Sequence, residues 1–257
     1  MATDTASRNG RSARRWLRGA GELAALLLVI AIGKTAVAEP FYVPSGSMEP
    51  TLQIGDELVA AKFSYGYSTA SLPFGLTLPQ SGRVLGRLPS RGDVVVFRWP
   101  GDPSQTWVKR VIGLPGDRVA MRAGRLWING EPVELRPGGE GTVERGDGAA
   151  VPAARLIETL PGGVSHPIFK RFAYGPLDEM PEVMVPPGHL FVMGDNRDNS
   201  ADSRLPVAAG GVGLLPVGDL VGKAAFVVAS WDLGLRSQPV WTWPGGLRLD
   251  RFFSAIE

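Results

Sequence analysis

Ser47 lies in Pro44-Ser45-Gly46-Ser47-Met48-Glu49-Pro50, a short stretch bounded by prolines. Such a setting can hold a hydroxyl in a fixed, exposed turn, as a nucleophile requires; a polar linker would use the same residue types. A serine nucleophile needs a base. The chain has no Cys, so thiol nucleophiles and Cys-containing zinc sites are excluded, and its two His are too few for a multi-His metal centre. His166 in Ser165-His166-Pro167 and His189 in Pro187-Gly188-His189 both read as solvated turn residues rather than bases. A lysine can serve if burial brings its pKa from ~10.4 towards ~7–8. An arginine cannot, because its guanidinium stays protonated. Of 27 basic residues, 22 are Arg and five are Lys, so a Lys kept beside an Arg at Lys109-Arg110 is informative. In an extended segment, alternation puts Lys109 on one face with Trp107 and Val111, and Arg110 on the other with Val108 and Ile112. An amine between two large apolar side chains is set up for desolvation; a solvated edge-strand lysine is the plainer reading. Lys62, followed by Phe63 and Tyr65, is the competing candidate.

The densest polar cluster runs from Gly194 to Arg204, directly after the apolar Leu190-Phe191-Val192-Met193. A calcium loop fails on spacing. Starting at Asp195 puts Arg197 at the third ligand position; starting at Asp198 puts Ser203 where Gly is needed and Ala209 where the bidentate Glu belongs. Paired carboxylates, amides and guanidiniums that satisfy one another and hold neighbours in position fit better.

The elements that must position these residues are mostly strands. Asp56–Lys62, Asp93–Arg98, Thr106–Ile112 and Ala224–Ser230 are rich in β-branched or aromatic residues, and Arg125-Leu126-Trp127-Ile128, Asn129-Gly130, Glu131-Pro132-Val133 reads as a hairpin with a type I′ turn. With 34 Gly and 22 Pro in 257 residues, many turns and much β structure are expected, not a helical bundle. The 44% hydrophobic content is enough for a buried core. Arg136–Ala154, rich in Gly, Glu, Arg and Pro, reads as a flexible loop. In 70–91, Leu72, Phe74, Leu76 and Leu78 alternate as in a half-buried strand, or as an apolar lip on a bilayer.

The basic pI of about 9.1 belongs to one end. Arg8, Arg11, Arg14, Arg15 and Arg18 against Asp4 give residues 1–18 a net +4, leaving −2 on the rest, so nucleic-acid binding is not expected. Next comes Leu23–Ile32 without a charge, then Lys34 and an Ala36-Val37-Ala38 end. A cleavable signal peptide has this form. So does a short membrane anchor: 16 residues from Leu23 to Ala38 span roughly 24 Å as a helix, with Lys34 able to snorkel. Both place the rest of the chain outside the cytoplasm.

Three stretches together resemble the type I signal peptidases, membrane-anchored serine proteases that remove signal peptides from exported proteins. They are Pro44-Ser45-Gly46-Ser47-Met48 with Pro50-Thr51-Leu52 and Gly55-Asp56, then Arg91–Phe97 leading to Lys109–Asp117, and Gly194–Arg204, in matching order and spacing. The resemblance covers roughly 20–120 and 185–250. It implies a Ser/Lys dyad of Ser47 and Lys109, and an oxyanion hole from the Ser47 N–H and the Ser45 hydroxyl. In supporting roles it implies Met48 in the serine motif, Ser200 hydrogen-bonded to the Lys109 amine, an Asp202–Arg204 ion pair, and Asp195 and Asn196 shaping the same loop. Substrates would carry Ala-X-Ala before the cut.

The implied fold is mainly β: a β-rich catalytic core at 39–119 and 185–257, a short inserted β domain at 120–184, a basic cytoplasmic tail at 1–18 and one transmembrane signal-anchor helix at 19–38. The implied setting is the inner membrane, single-pass, N-terminus cytoplasmic and catalytic domain outside. Expected partners are signal peptides of exported preproteins and membrane lipid, with no nucleic acid, no metal, no cofactor, and a monomeric enzyme. Self-cleavage after Ala38 is a further implication. Some relatives have two spans where this chain offers at most one, and Leu205–Pro216 is longer than the Gly-hydrophobic-Val-Pro link of the family. Two other readings remain at this point: a Ser/Lys self-cleaving regulator, which would want an N-terminal DNA-binding module, and a non-enzymatic envelope protein anchored by residues 20–38.

Overall fold

A computed structural model describes residues 38–66, 86–144 and 149–257, together with Trp16, 19–23 and 25–26 in helical conformation. Most of the expected anchor at 19–38, and the alternating Leu72–Leu78 run, lie outside the described residues. Among the described residues no helix is long and apolar enough to cross a membrane.

The fold is mainly β. Its principal sheet is antiparallel and runs β1 (Ala38–Tyr42), β2 (Asp56–Ala61), β14 (Leu220–Ser230), β3 (Val94–Trp99), β4 (Asp102–Gly113), β12 (His189–Met193) and β13 (Leu215–Pro216), with β15 (Ser254–Ala255) paired to β14. The four strand segments read from β-branched runs are all strands here, β2, β3, β4 and β14, with β4 reaching further in both directions. Val94, Val95, Val96 and Phe97 are all buried because β3 has a core on each face. One core packs Val94, Val96 and Met48 with Leu58, Val221 and Val227; the other packs Val95 and Phe97 with Val111, Val192, Val212 and Leu215. Burying an aliphatic side chain of this size stabilises by about 1.5–3 kcal/mol, so both faces of the sheet contribute to holding β4 in place.

Residues between β4 and β12 form two smaller sheets. β5 (Arg118–Arg122), β6 (Arg125–Ile128), β7 (Glu131–Pro132) and β11 (Met180–Met184) make one, in the order β11-β5-β6-β7. The Asn129-Gly130 turn joins β6 to β7 with positive φ at both residues, as a type I′ turn requires. This sheet shares a core with β4 and β12: Ile112, Phe191 and Met193 pack with Val119, Met121, Leu126 and Ile128.

The other small sheet corrects an expectation. Arg136–Ala154 is not a flexible loop but most of a long hairpin, β8 (Glu134–Glu144) against β9 (Ala150–Thr159), with β10 (Ser165–Lys170) on the far side of β9. Most of β8 is exposed or half-exposed, so it carries no alternating apolar signal; a long ladder of backbone hydrogen bonds holds it instead. His166 is also misread as a solvated turn residue: it sits in β10, fully buried.

Candidate active site

Ser47 is carried by a single 3-10 turn, Gly46–Met48, that follows edge strand β1. Met48 is fully buried in the core beneath it, and Leu52 N–H donates to the Met48 carbonyl at 2.9 Å, so the turn is fastened from below. Asn196 fastens it from the side. Its backbone N–H donates to the Ser47 carbonyl at 3.1 Å and its Nδ2 to the Gly46 carbonyl at 3.0 Å. Gly194 is forced by this approach: a Cβ there would lie 2.4 Å from the Ser47 carbonyl oxygen and 2.3 Å from Ser200 Oγ.

Lys109 is presented by β4 opposite Val95 of β3, and its Nζ lies 2.8 Å from Ser47 Oγ and 3.0 Å from the Val108 carbonyl. β12 pairs with β4 only from Arg110 onward, so at Lys109 the neighbouring strand has ended and the amine can reach the serine turn. Lys109 is 4% exposed. Burial disfavours the ammonium and lowers its pKa to about 8, with Asp202 and Asp195 opposing the shift and Arg204 adding to it. Lys62 is a different case. It too is buried, but its Nζ is paired with Glu39 at 2.8 Å.

The Gly194–Arg204 loop is a set of internally satisfied pairs. Arg204 Nε and Nη2 donate to the two oxygens of Asp202 at 2.9 and 2.8 Å, and Gly194 N–H also donates to Asp202. Burial alone would raise the Asp202 carboxyl, but Arg204 outweighs it and holds the carboxyl below its usual range. Asp195 is gripped by Arg110 through Nε at 2.9 Å and Nη2 at 2.7 Å, with Thr51 Oγ1 donating to the same carboxylate. There too the guanidinium overcomes the effect of burial and keeps the carboxyl low. Ser45 Oγ is 3.4 Å from Ser47 Oγ on the exposed side of the turn.

One expected contact is absent. The Ser200 hydroxyl is buried beside Gly194 but makes no hydrogen bond, to Lys109 or to any other described residue, because Nζ is turned instead to Ser47 and the Val108 carbonyl.

Other residues of the site have no local sequence signal. Glu158 of β9 forms a buried bidentate pair with Arg197, at 3.0 and 2.5 Å, and β10 bonds to the loop through Phe169 N–H to the Asp195 carbonyl and Arg197 N–H to the Phe169 carbonyl. The β8-β9-β10 sheet thus grips, through β9 and β10, the loop that positions Ser47. His166 Nε2 faces Glu158 and Asp195 at 3.5 and 3.8 Å, and burial pushes its pKa down to about 4. It is a neutral packing group here, not a base for Ser47. Glu49, next to the serine motif, accepts from Asn196, and burial raises its carboxyl to about 7. Partners separated by tens of residues leave no pattern in a single sequence; Glu49 alone was near enough to a recognisable motif to be suspected.

A groove of about 540 Å³ opens over the pair. Its floor is apolar, from Phe41, Val43, Leu58, Val96 and Val108, and Ser47 and Lys109 stand at one side. The arrangement can bring an extended chain against a hydroxyl that already touches an amine able to take its proton.

Comparison with known proteins agrees with this chemistry. The model of the family described as signal peptidase, peptidase S26, matches residues 14–231. Signal peptidase I of Rickettsia typhi is 36% identical over 257 aligned positions, covering 91% of this chain and 93% of the relative. That of Rickettsia akari is 36% identical and covers 98% and 97%; that of Pseudomonas fluorescens is 38% identical and covers 80% and 70%.

Proposed function

As the chain belongs to the signal peptidase family, peptidase S26, and is a serine endopeptidase that removes signal peptides from exported preproteins, we propose that Ser47 is its nucleophile and Lys109 its general base. The observation that carries this reading is the 2.8 Å approach of Nζ to Ser47 Oγ in a setting that keeps the amine near neutrality. In the neutral form the amine accepts from the hydroxyl. As Oγ bonds to the scissile carbonyl carbon, its proton passes to Nζ, and the electron pair of the carbonyl moves to oxygen. In this reading the Ser47 N–H and the Ser45 hydroxyl receive that charge; preorganised donors of this kind are worth roughly 3–4 kcal/mol each. Collapse breaks the C–N bond, the leaving amine takes the proton from Nζ, and the acyl group stays on Oγ. Lys109 then takes a proton from the water that adds to the ester carbonyl, and returns it to Oγ as the acyl C–Oγ bond breaks and the carboxylic acid leaves.

In this reading the preferred sequence before the cut is Ala-X-Ala, whose methyl side chains suit the apolar part of the groove lining. Membrane lipid is the second partner in this reading. Phe226 on β14, across from Ala255 of β15, is exposed, as are Phe253, Val240, Trp241 and Leu249 of the C-terminal region, while the net +4 of residues 1–18 supports a cytoplasmic N-terminus and an external catalytic domain on a single span. We propose that the enzyme acts there as a monomer.

The test is incubation of the detergent-solubilised full chain with a precursor bearing an Ala-X-Ala site, followed by mass measurement of the product. Cleavage directly after the second Ala is expected. Ser47→Ala and Lys109→Arg should each lower kcat/KM by at least about 10³-fold while the protein stays folded, since general-base catalysis alone contributes roughly 10²–10⁴-fold. Undiminished activity in Ser47→Ala would end the nucleophile assignment, and full activity in Lys109→Arg would end that of the base.

A further inference from the structure

The long Leu205–Pro216 link is compact and fastened at both ends. Leu205 N–H and Val212 N–H both donate to the Asp202 carbonyl, at 3.1 and 3.0 Å, and Gly213 N–H donates to the Leu205 carbonyl at 2.9 Å. Val212 and Leu215 are fully buried in the core that also holds Trp99 and Trp107. Gly211 passes so close to Leu205 that a Cβ would lie 2.2 Å from its carbonyl oxygen. The Gly211 carbonyl accepts from Trp99 Nε1 at 2.8 Å. Trp99 in turn stacks face to face on Trp107, with centroids 4.9 Å apart and planes 1° from parallel. Trp107 lies on β4 two residues before Lys109, lines the substrate groove, and has its ring 5.7 Å from the Lys109 amine. A continuous path therefore runs from the link through two indoles to the base.

We propose that the Leu205–Pro216 link is a brace: through Gly211 and Trp99 it holds Trp107 as a wall that keeps water from the Lys109 amine. Trp99 and Trp107 are positioning residues in this account, and it rests on Lys109 being the base. Two effects of Trp107 on the amine have opposite signs. A ring face favours the ammonium, but at 5.7 Å this is near the outer limit of cation–π attraction. Exclusion of water disfavours it, and burial is the larger influence on this amine. Charged groups facing the amine from neighbouring segments are Asp195, Asp202 and Arg204 of the loop after β12. None of them bonds to Trp99, so changing Trp99 perturbs the wall and leaves those charges in place.

The experiment is the pH dependence of kcat/KM from pH 6 to 10 for the full chain in detergent, with an Ala-X-Ala precursor, comparing the original protein with Trp99→Leu and Trp99→Phe. The original protein should show an acidic limb near pH 8. In Trp99→Leu, water admitted behind Trp107 should move that limb up by about one pH unit, so that kcat/KM falls about tenfold at pH 7 and stays within about twofold at pH 10. Trp99→Phe keeps a stacking ring but loses the bond to Gly211, and should move the limb the same way by about a third as much. A loss of equal size at every pH, an unmoved limb in both variants, or a limb moved to lower pH would each overturn the brace. If Trp99→Leu does not fold, Trp99→Phe decides by itself. If the original protein has no acidic limb near pH 8, the base assignment is what fails; a limb present there and unmoved in the variants defeats the brace alone.

Discussion

Lys109 and Arg110 are neighbours on one strand, both buried, and the protein treats their charges in opposite ways. Arg110 faces a site built to receive a cation: Asp195 takes two of its N–H groups, the Gly92 carbonyl takes another at 2.8 Å, and Thr51 Oγ1 and the main-chain oxygen of Glu257 accept as well. Lys109 touches one hydroxyl and one carbonyl, with the Trp107 ring 5.7 Å away, and no carboxylate bonds to it. The carboxylates that act on it, Asp202 and Asp195, are each bound to a guanidinium of their own. A paired guanidinium fixes structure because it never gives up its proton, whereas an amine bonded to no carboxylate has its pKa brought down towards neutral pH and can both give up a proton and take one. One side of β4 holds the loop that positions Ser47, and the other side supplies the base. Changes on the Arg110 side should therefore appear as lost stability, and changes on the Lys109 side as altered proton chemistry.

Removing Arg110 gives the largest expected effect on stability. Arg110→Met leaves Asp195 ionised in the interior without its partner, which costs about 3–5 kcal/mol. Arg110→Met combined with Asp195→Leu removes both charges and should recover about half of the loss or more. Urea denaturation of the full chain in detergent at pH 7 measures both. A double variant no more stable than the single one would mean that Arg110 acts mainly through the Gly92 carbonyl and not through Asp195.

The opposite sign is expected one residue earlier. The Lys109 amine has its pKa lowered from 10.5 to about 8 on folding, so keeping it protonated in the fold opposes stability. That penalty is complete below about pH 8 and disappears as pH rises towards the unfolded value. Lys109→Met should therefore be more stable than the original protein at pH 7 by roughly 3–4 kcal/mol, since each pH unit between the folded and unfolded values corresponds to about 1.4 kcal/mol, with the advantage shrinking between pH 8 and 10. The same denaturation experiment at three pH values checks it. A Lys109→Met protein less stable at pH 7 would show that the amine is a structural partner like Arg110, and the contrast would fail.

The two residues were also unequally legible in the sequence. Strand alternation and a chain that otherwise prefers Arg made Lys109 a candidate buried amine beside the plainer solvated reading, the proline-bounded stretch made Ser47 a candidate nucleophile beside a polar linker, and only the family resemblance joined the two. The β-branched runs of β2, β3, β4 and β14 and the Asn129-Gly130 turn were legible because their periodicity and turn chemistry are local. The partner of Arg110 was not, since Asp195 lies 85 residues away, and the same distance problem hid Glu158 from Arg197 and Gly211 from Trp99. β8 was unreadable for a different reason: it is held by its ladder to β9, with Gly141 leaving room for the Phe169 ring, and such a strand needs no apolar alternation. The expected bond from Ser200 to Lys109 failed because a motif carries the presence of a hydroxyl but not its direction.

Thr51 gives the smallest effect and the sharpest test of the contrast, because it touches only the Arg110 side. Its Oγ1 donates to Asp195 at 2.5 Å and accepts from Arg110 Nη2 at 3.1 Å. Thr51→Val keeps the shape and removes both bonds, and a hydrogen bond to a charged group is worth about 1.5–3 kcal/mol. Since the Arg110–Asp195 pair itself survives, a loss at the lower end, about 1–2 kcal/mol at pH 7, is expected. The pH dependence has a definite sign. The Asp195 carboxyl is held below its usual range in the fold, so its contribution to stability is present above the unfolded carboxylate value and is lost as pH falls through the folded one. The deficit of Thr51→Val should narrow in acid, below about pH 4, where the carboxylate that Thr51 supports is being protonated. At neutral pH Asp195 remains ionised in the variant, so the charge felt by Lys109 is unchanged and the acidic limb of kcat/KM should stay where it was. A Thr51→Val protein with normal stability and a shifted limb would reverse the assignment of the two sides of β4.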